Sequence, residues 1–172
     1  MKAVPWIIAV AAIASVLPAH AQDRAPFKPP PRAFGPAVVG GAFSQIYVIS
    51  GVRDNAAAIN TGVATSFHCT NLSGVSESLA FVVQAFDGAV VTSTTFTVPS
   101  NHTWTASTHG TVLFNEDAFL SEGADIDQGI ALIYSTTLYM FCSAMIVDAS
   151  VANPVGISLH MVRVNPIAGT TE

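Results

Sequence analysis

Apolar residues along this chain recur mostly at alternate positions, the period of a half-buried strand, and never at helical spacing over a useful length. Ile46, Tyr47, Val48 and Ile49 mark a strand over 44–50. Over 62–70, Val63, Thr65, Phe67 and Cys69 point one way, and Ser66, His68 and Thr70 the other. Two β-rich runs, 79–86 and 89–98, flank Asp87-Gly88, a dipeptide that favours a two-residue hairpin turn. That turn sets Phe81 opposite Thr94 and Leu79 opposite Phe96. It gathers Leu79, Phe81, Val83, Ala85, Val90, Phe96 and Val98 on one face. The other face takes Gln84, Ser93, Thr95 and Thr97, with Val82 and Val91 as apolar exceptions. Further strands are predicted over 102–114, 129–135, 138–148 and 155–164. The segment 138–147 is apolar on both faces and reads as a central strand. Asn115 is placed to cap a short helical turn within 115–128, with Glu116 and Asp117 near its positive end. About eight strands joined by short turns predict an all-β fold, an antiparallel β-sandwich, with a closed β-barrel as the alternative.

The chain begins differently. Lys2 precedes an apolar run from Val4 to Leu17, and Ala19-His20-Ala21 fits the small-x-small pattern of an export cleavage site. The run falls short of the roughly 20 apolar residues that span a membrane. The expectation is a signal peptide over 1–21, cleaved after Ala21, and a secreted or periplasmic protein with no membrane insertion afterwards. The alanine-rich run points to a bacterial exporter. Residues 22–40 hold Pro26, Pro29, Pro30, Pro31 and Pro36 and read as an extended arm. Residues 41–172 read as a single sandwich domain.

Composition narrows the function. Of 172 residues, 51% are apolar, which excludes a disordered chain. Only 10% are charged and the net charge is -5, so there is no basic face for a nucleic acid. Arg24, Lys28 and Arg32 lie in the arm, leaving Arg53 and Arg163 in the body.

Cys69 and Cys142 are the two cysteines. In an exported chain they are expected to pair, stabilising the fold by roughly 4 kcal/mol through closure of a long loop. Two cysteines in strand centres resemble the layout of immunoglobulin domains, which implies a bridge between the two sheets. Trp104 lies far downstream of Cys69, and Tyr139 is one place off the position such domains give to tyrosine, so the resemblance extends to the sandwich alone.

The chemistry is sparse. His68, His102, His109 and His160 follow the export segment, and none has the spacing of a common zinc or copper site. His68 and His160 sit beside Ser66 and Ser158 on polar strand faces, which reads as surface histidine. No Gly-x-Ser-x-Gly elbow and no phosphate loop is present. Glu116, Asp117, Glu122, Asp125 and Asp127 form a dense carboxylate segment. Glu116, Asp117, Asp125 and Asp127 are the candidate ligands for a cation such as Ca²⁺, although Gly129 and Ile130 break the EF-hand pattern that Asp125 and Asp127 begin. Thr92–Thr111 is more than half Ser and Thr, and Thr95-Phe96-Thr97 and Thr103-Trp104-Thr105 suggest flat hydroxyl ranks suited to glycan. No catalytic residue and no cofactor is assigned. The expected function is a non-catalytic exported sandwich that binds a protein or glycan partner or assembles at a surface. The rivals are a secreted hydrolase whose site assembles in space and a structural subunit joined through its arm.

Overall fold

The computed structural model describes residues 43–121, 123–153 and 155–164. The expected signal peptide (1–21), the arm (22–40) and Glu122 lie outside the described residues.

Ten strands form two sheets: β1 (Ser44–Asn55), β2 (Val63–Asn71), β3 (Glu77–Gln84), β4 (Val90–Val98), β5 (Thr103–Ser107), β6 (Ala118–Phe119), β7 (Asp125–Ser135), β8 (Met140–Asp148), β9 (Ile157–Ser158) and β10 (Met161–Arg163). One sheet has the order β10-β1-β7-β3-β4 and the other β6-β5-β2-β8-β9. All pairings are antiparallel except β5 with β6. The sheets do not close into a barrel, so the fold is the expected β-sandwich.

The core lies between the sheets. Ile46, Ile49, Leu79, Phe81, Val83 and Ile133 from the first sheet meet Phe67, Cys69, Ala106, Met140 and Ala144 from the second. The Phe67 and Phe81 rings pack 5.5 Å apart across this interface. At one lateral border Phe96 of β4 packs on Trp104 of β5, with ring centroids 5.4 Å apart. At the other, the chain passes from β9 in one sheet to β10 in the other, so the predicted strand 155–164 is two short strands split between sheets. Arg163 fastens this border: its guanidinium lies 5.1 Å from the Tyr47 ring centre and 4.9 Å from that of Phe141, and donates to the Tyr47 hydroxyl and the Leu138 carbonyl.

The hairpin shows how pattern and turn chemistry interact. Phe81 is opposite Thr94 and Leu79 opposite Phe96, as the pattern required. The turn itself is one residue longer than predicted. Ala85 N–H donates to the Ala89 carbonyl at 2.9 Å and Gly88 N–H to the Ala85 carbonyl at 3.0 Å, leaving Phe86, Asp87 and Gly88 in the loop. Gly88 has φ 85°, which an L side chain resists. A bulge between Val83 and Gln84 on one strand and Thr92 and Val90 on the other restores the register. It also exchanges two valines: Val91 packs against the core and Val90 is exposed, the reverse of the predicted faces.

Other expectations are corrected. The disulfide lies within one sheet. Cys69 and Cys142 face each other on the neighbouring strands β2 and β8, Cα atoms 4.1 Å apart, at a sequence separation of 73. The doubly buried strand is β3, not β8. Leu79 through Gln84 are all buried, because Ala80 and Val82 join Tyr134, Phe43 and Leu132 on the outer face of that sheet. The strand predicted over 102–114 ends at Ser107. Asn115 caps no helix. The acidic segment enters the short β6 and then β7, which starts at Asp125 rather than Gly129.

Candidate functional site

Asp54 near the end of β1 and His109 just beyond β5 meet between the sheets at one end of the sandwich. His109 Nδ1 lies 2.9 Å from Asp54 Oδ2, and the two side chains are 1% and 0% exposed. Their neighbours complete the site. Asp54 Oδ1 accepts the Ala56 N–H at 2.8 Å. Ser121 Oγ donates to the Thr108 carbonyl at 3.2 Å and reaches Asp54 Oδ2 at 3.5 Å. His109 Nε2 lies 2.9 Å from the Thr61 carbonyl. A carbonyl oxygen only accepts, so Nε2 carries a hydrogen and is a donor. Nδ1 faces the Asp54 carboxylate.

The local chain supports this arrangement. Ala56, Asn60 and Gly62 take φ of 52°, 62° and 71°, which folds the β1–β2 connection over the pair. Asn60 N–H donates to the Gly110 carbonyl at 2.8 Å, so both His109 and Gly110 hold that connection. Gly110 sits at a close approach: a Cβ there would lie 2.8 Å from Ile59 Cγ2 and 3.3 Å from the Phe119 ring, so a larger residue makes these side chains shift. Ala56, Ala57, Ala58, Ile59 and Gly123 form an open cleft of about 670 Å³ with the buried His109 at its base. Ile59 and Phe119 are 53% and 41% exposed, so this end presents apolar surface.

A Ser, a His and an Asp are therefore gathered, but in an order unlike that of a nucleophilic triad. Such a site needs its hydroxyl on the free imidazole nitrogen, while the carboxylate holds the other. Here the hydroxyl lies on the carboxylate side, and Nε2 is taken by a backbone carbonyl.

A second polar group occupies the outer face of β2 and β5. His68 Nδ1 lies 3.2 Å from Thr105 Oγ1, Nε2 lies 3.4 Å from Ser66 Oγ, and the ring meets Phe114 edge-on at 4.5 Å. Ser107 Oγ lies 2.9 Å from Ser66 Oγ and 3.3 Å from Glu116 Oε1. Burial lowers the His68 pKa, and the Glu116 carboxylate partly offsets this.

The candidate cation ligands are not brought together. Glu116 Oε1 accepts from Thr111 N–H at 2.9 Å and Thr111 Oγ at 2.6 Å. Asp117 Oδ2 accepts the Thr105 N–H at 2.8 Å, extending the β5–β6 edge. Asp125 and Asp127 lie on β7 in the other sheet, Asp127 at 4.0 Å from Arg53 with both side chains largely exposed. Among the described residues, no three His, Cys, Asp or Glu side chains converge as a metal site would require.

No family model matches this chain, and no curated protein or solved structure is found to be similar to it.

Of the four histidines among the described residues, His102 and His160 are exposed, His68 is half-buried, and His109 is a core residue. The surface reading therefore holds for His160 and is corrected for His68, which is half-buried, while His109, for which spacing alone offered no role, lies in the core. Asp54 was missed altogether. It lies within β1 but beyond the strand predicted over 44–50, and its partner is distant in sequence, so only the pairing of the sheets brings them together. The two hydroxyl ranks also separate. Phe96 and Trp104 face each other inside, so Thr95 and Thr97 lie on the outer face of one sheet and Thr103 and Thr105 on that of the other.

Proposed function

We propose that this chain is an exported, non-catalytic β-sandwich protein that acts by binding, with the apolar cleft beside the Asp54–His109 pair as its recognition surface. The observation that carries this reading is the occupation of both His109 nitrogens, by Asp54 and by the Thr61 carbonyl. A ring held in this way shapes a cleft and has no free nitrogen to act as a base. The cleft is open to solvent and its walls are mostly alanine and isoleucine, which suits it to an apolar surface group. Export is supported by the N-terminal pattern and by a disulfide of the kind that persists in oxidising compartments.

The test uses 1-anilinonaphthalene-8-sulfonate as an apolar probe. Saturable binding is expected to the native protein and not to Ile59→Asp, with near-ultraviolet circular dichroism unchanged. Absence of saturable binding, or binding indifferent to Ile59→Asp, would move recognition away from this cleft. Hydrolysis of p-nitrophenyl acetate should be no faster than with Ser121→Ala. A rate that falls more than about tenfold in that variant would replace binding by hydrolysis.

A further inference from the structure

The sandwich has four sheet edges among the described residues, and they are unequal. β10 has 3 residues, and β6 and β9 have 2 each. β4 has 9 residues, Val90–Val98, and forms the outer border of its sheet. A long edge offers a row of backbone donors and acceptors to another strand, and soluble proteins usually guard it with lysine, proline or an interrupting bulge. β4 carries no charged residue and no proline. Its bulge is confined to the turn end, and from Thr92 to Val98 the pairing with β3 is uninterrupted.

We propose that β4 is a docking edge for a second copy of this chain, with two β4 strands pairing antiparallel about a two-fold axis at Thr95. This goes beyond the cleft-binding function, which uses a different surface. The side-chain pattern of the strand is self-complementary in that register. Thr95 meets its own copy, and Ser93 meets Thr97 of the second copy. Ser93, Thr95 and Thr97 are all exposed on the outer face, so each outer pair is hydroxyl against hydroxyl. On the inner face Thr94 lies beside Phe96 of the second copy, covering an aromatic ring that is only partly buried in one chain. Two copies of a chain with net charge -5 repel, and an uncharged strand is where they can approach closely. A closed isologous pair also removes the longest open edge instead of propagating it.

The experiment is sedimentation velocity on the full secreted chain over a concentration series. A reversible dimer is expected, with a dissociation constant raised at least about tenfold by Ser93→Lys/Thr95→Lys, which sets like charges against each other across the axis. Both side chains are exposed, so thermal melting of the diluted variant should match that of the wild type. Thr95→Cys should form a disulfide-linked dimer under mild oxidation, and Ser50→Cys on another exposed site should not, because only the axis position brings identical residues within bridging distance. A protein that stays monomeric at all concentrations, or a dimer indifferent to both lysines, overturns the proposal. So does a monomer that dimerises only after residues 22–42 are removed, since its own segment would then occupy the edge. Dye binding at Ile59 is read separately, so failure here leaves the cleft reading intact.

Discussion

His109, just beyond β5, and His68, within β2, both sit in strand sequence rich in Ser and Thr, yet they end in opposite conditions. His109 lies between the sheets with its carboxylate partner, and every polar atom there meets another polar atom within hydrogen-bond reach. His68 lies on the outer face of a sheet, half covered by Phe114, and its ring contacts are the longer distances of 3.2 and 3.4 Å. The difference is one of solvation. A charge taken fully out of water must be completely partnered, which fixes the residues that hold it. A half-buried imidazole keeps water as an alternative and remains free to titrate. The buried pair is held by partners on every side, and the half-buried His68 ring, whose pKa burial lowers, is open to solvent protons.

The strongest way to break this contrast is to remove one member of the dry pair. Asp54→Ala leaves His109 without its carboxylate and the Ala56 N–H without its acceptor. A loss of about 3–5 kcal/mol is expected in urea unfolding, followed by Trp104 fluorescence. A loss below about 1 kcal/mol would mean that water has replaced the carboxylate and that this end is not dry. Adjacent to His68, Cys69→Ala/Cys142→Ala should cost about 2–4 kcal/mol by releasing the long loop. That change should leave the Asp54–His109 contact intact, as judged by the His109 ring resonances. If those resonances shift with the disulfide removed, the two regions are coupled and the contrast is not local.

Much of the fold was legible because a strand of period two reports its own buried face. The register of β3 on β4 followed from alternation, and the cysteine pair from residue type and the expectation of export. What alternation could not carry was anything set by a single residue of slip. One extra loop residue at Gly88 and one bulge at Val91 reversed the faces of Val90 and Val91 while leaving Phe81 opposite Thr94. Nor could it say which strands become neighbours. β2 and β8 are adjacent, so the cysteines bridge one sheet instead of two. The Asp54–His109 pair was hidden for the same reason, since it depends on how the ends of β1 and β5 are stacked. The carboxylate segment looked like a ligand set because its residues are close in sequence, yet a chain that bends into β6 and then joins β7 in the other sheet spreads them apart.

A smaller test sharpens the packed end. Gly110→Ala would press a methyl group on Ile59 and the Phe119 ring. Ile59 is largely exposed and can turn outward, so the cost should be about 1 kcal/mol, well under that of an overpacked core. The same shift alters the mouth of the cleft, so dye affinity should fall more than stability does. Equal affinity with lowered stability would place the probe elsewhere.

The smallest expected effect belongs to His68, and it carries a sign. Burial lowers its pKa below the ordinary histidine value of 6.5, with Glu116 acting in the opposite direction. Between the lowered folded value and 6.5 the unfolded chain binds more protons than the folded one, so stability rises with pH across that window. The contribution is fully present above 6.5 and is lost as the pH falls from there towards the folded value. Because the ring is about half exposed, solvent screening keeps the change below about 1 kcal/mol. Urea midpoints between pH 5 and pH 8 should therefore slope less steeply in His68→Gln than in the wild type. Glu116→Gln should steepen the slope, because it removes the carboxylate that favours the protonated ring. It also takes the charged acceptor from Thr111, so the comparison rests on slope rather than on absolute stability. An unchanged slope in both variants would place His68 in water on both sides of the unfolding transition, and the difference between the two histidines would then be one of partners and not of burial.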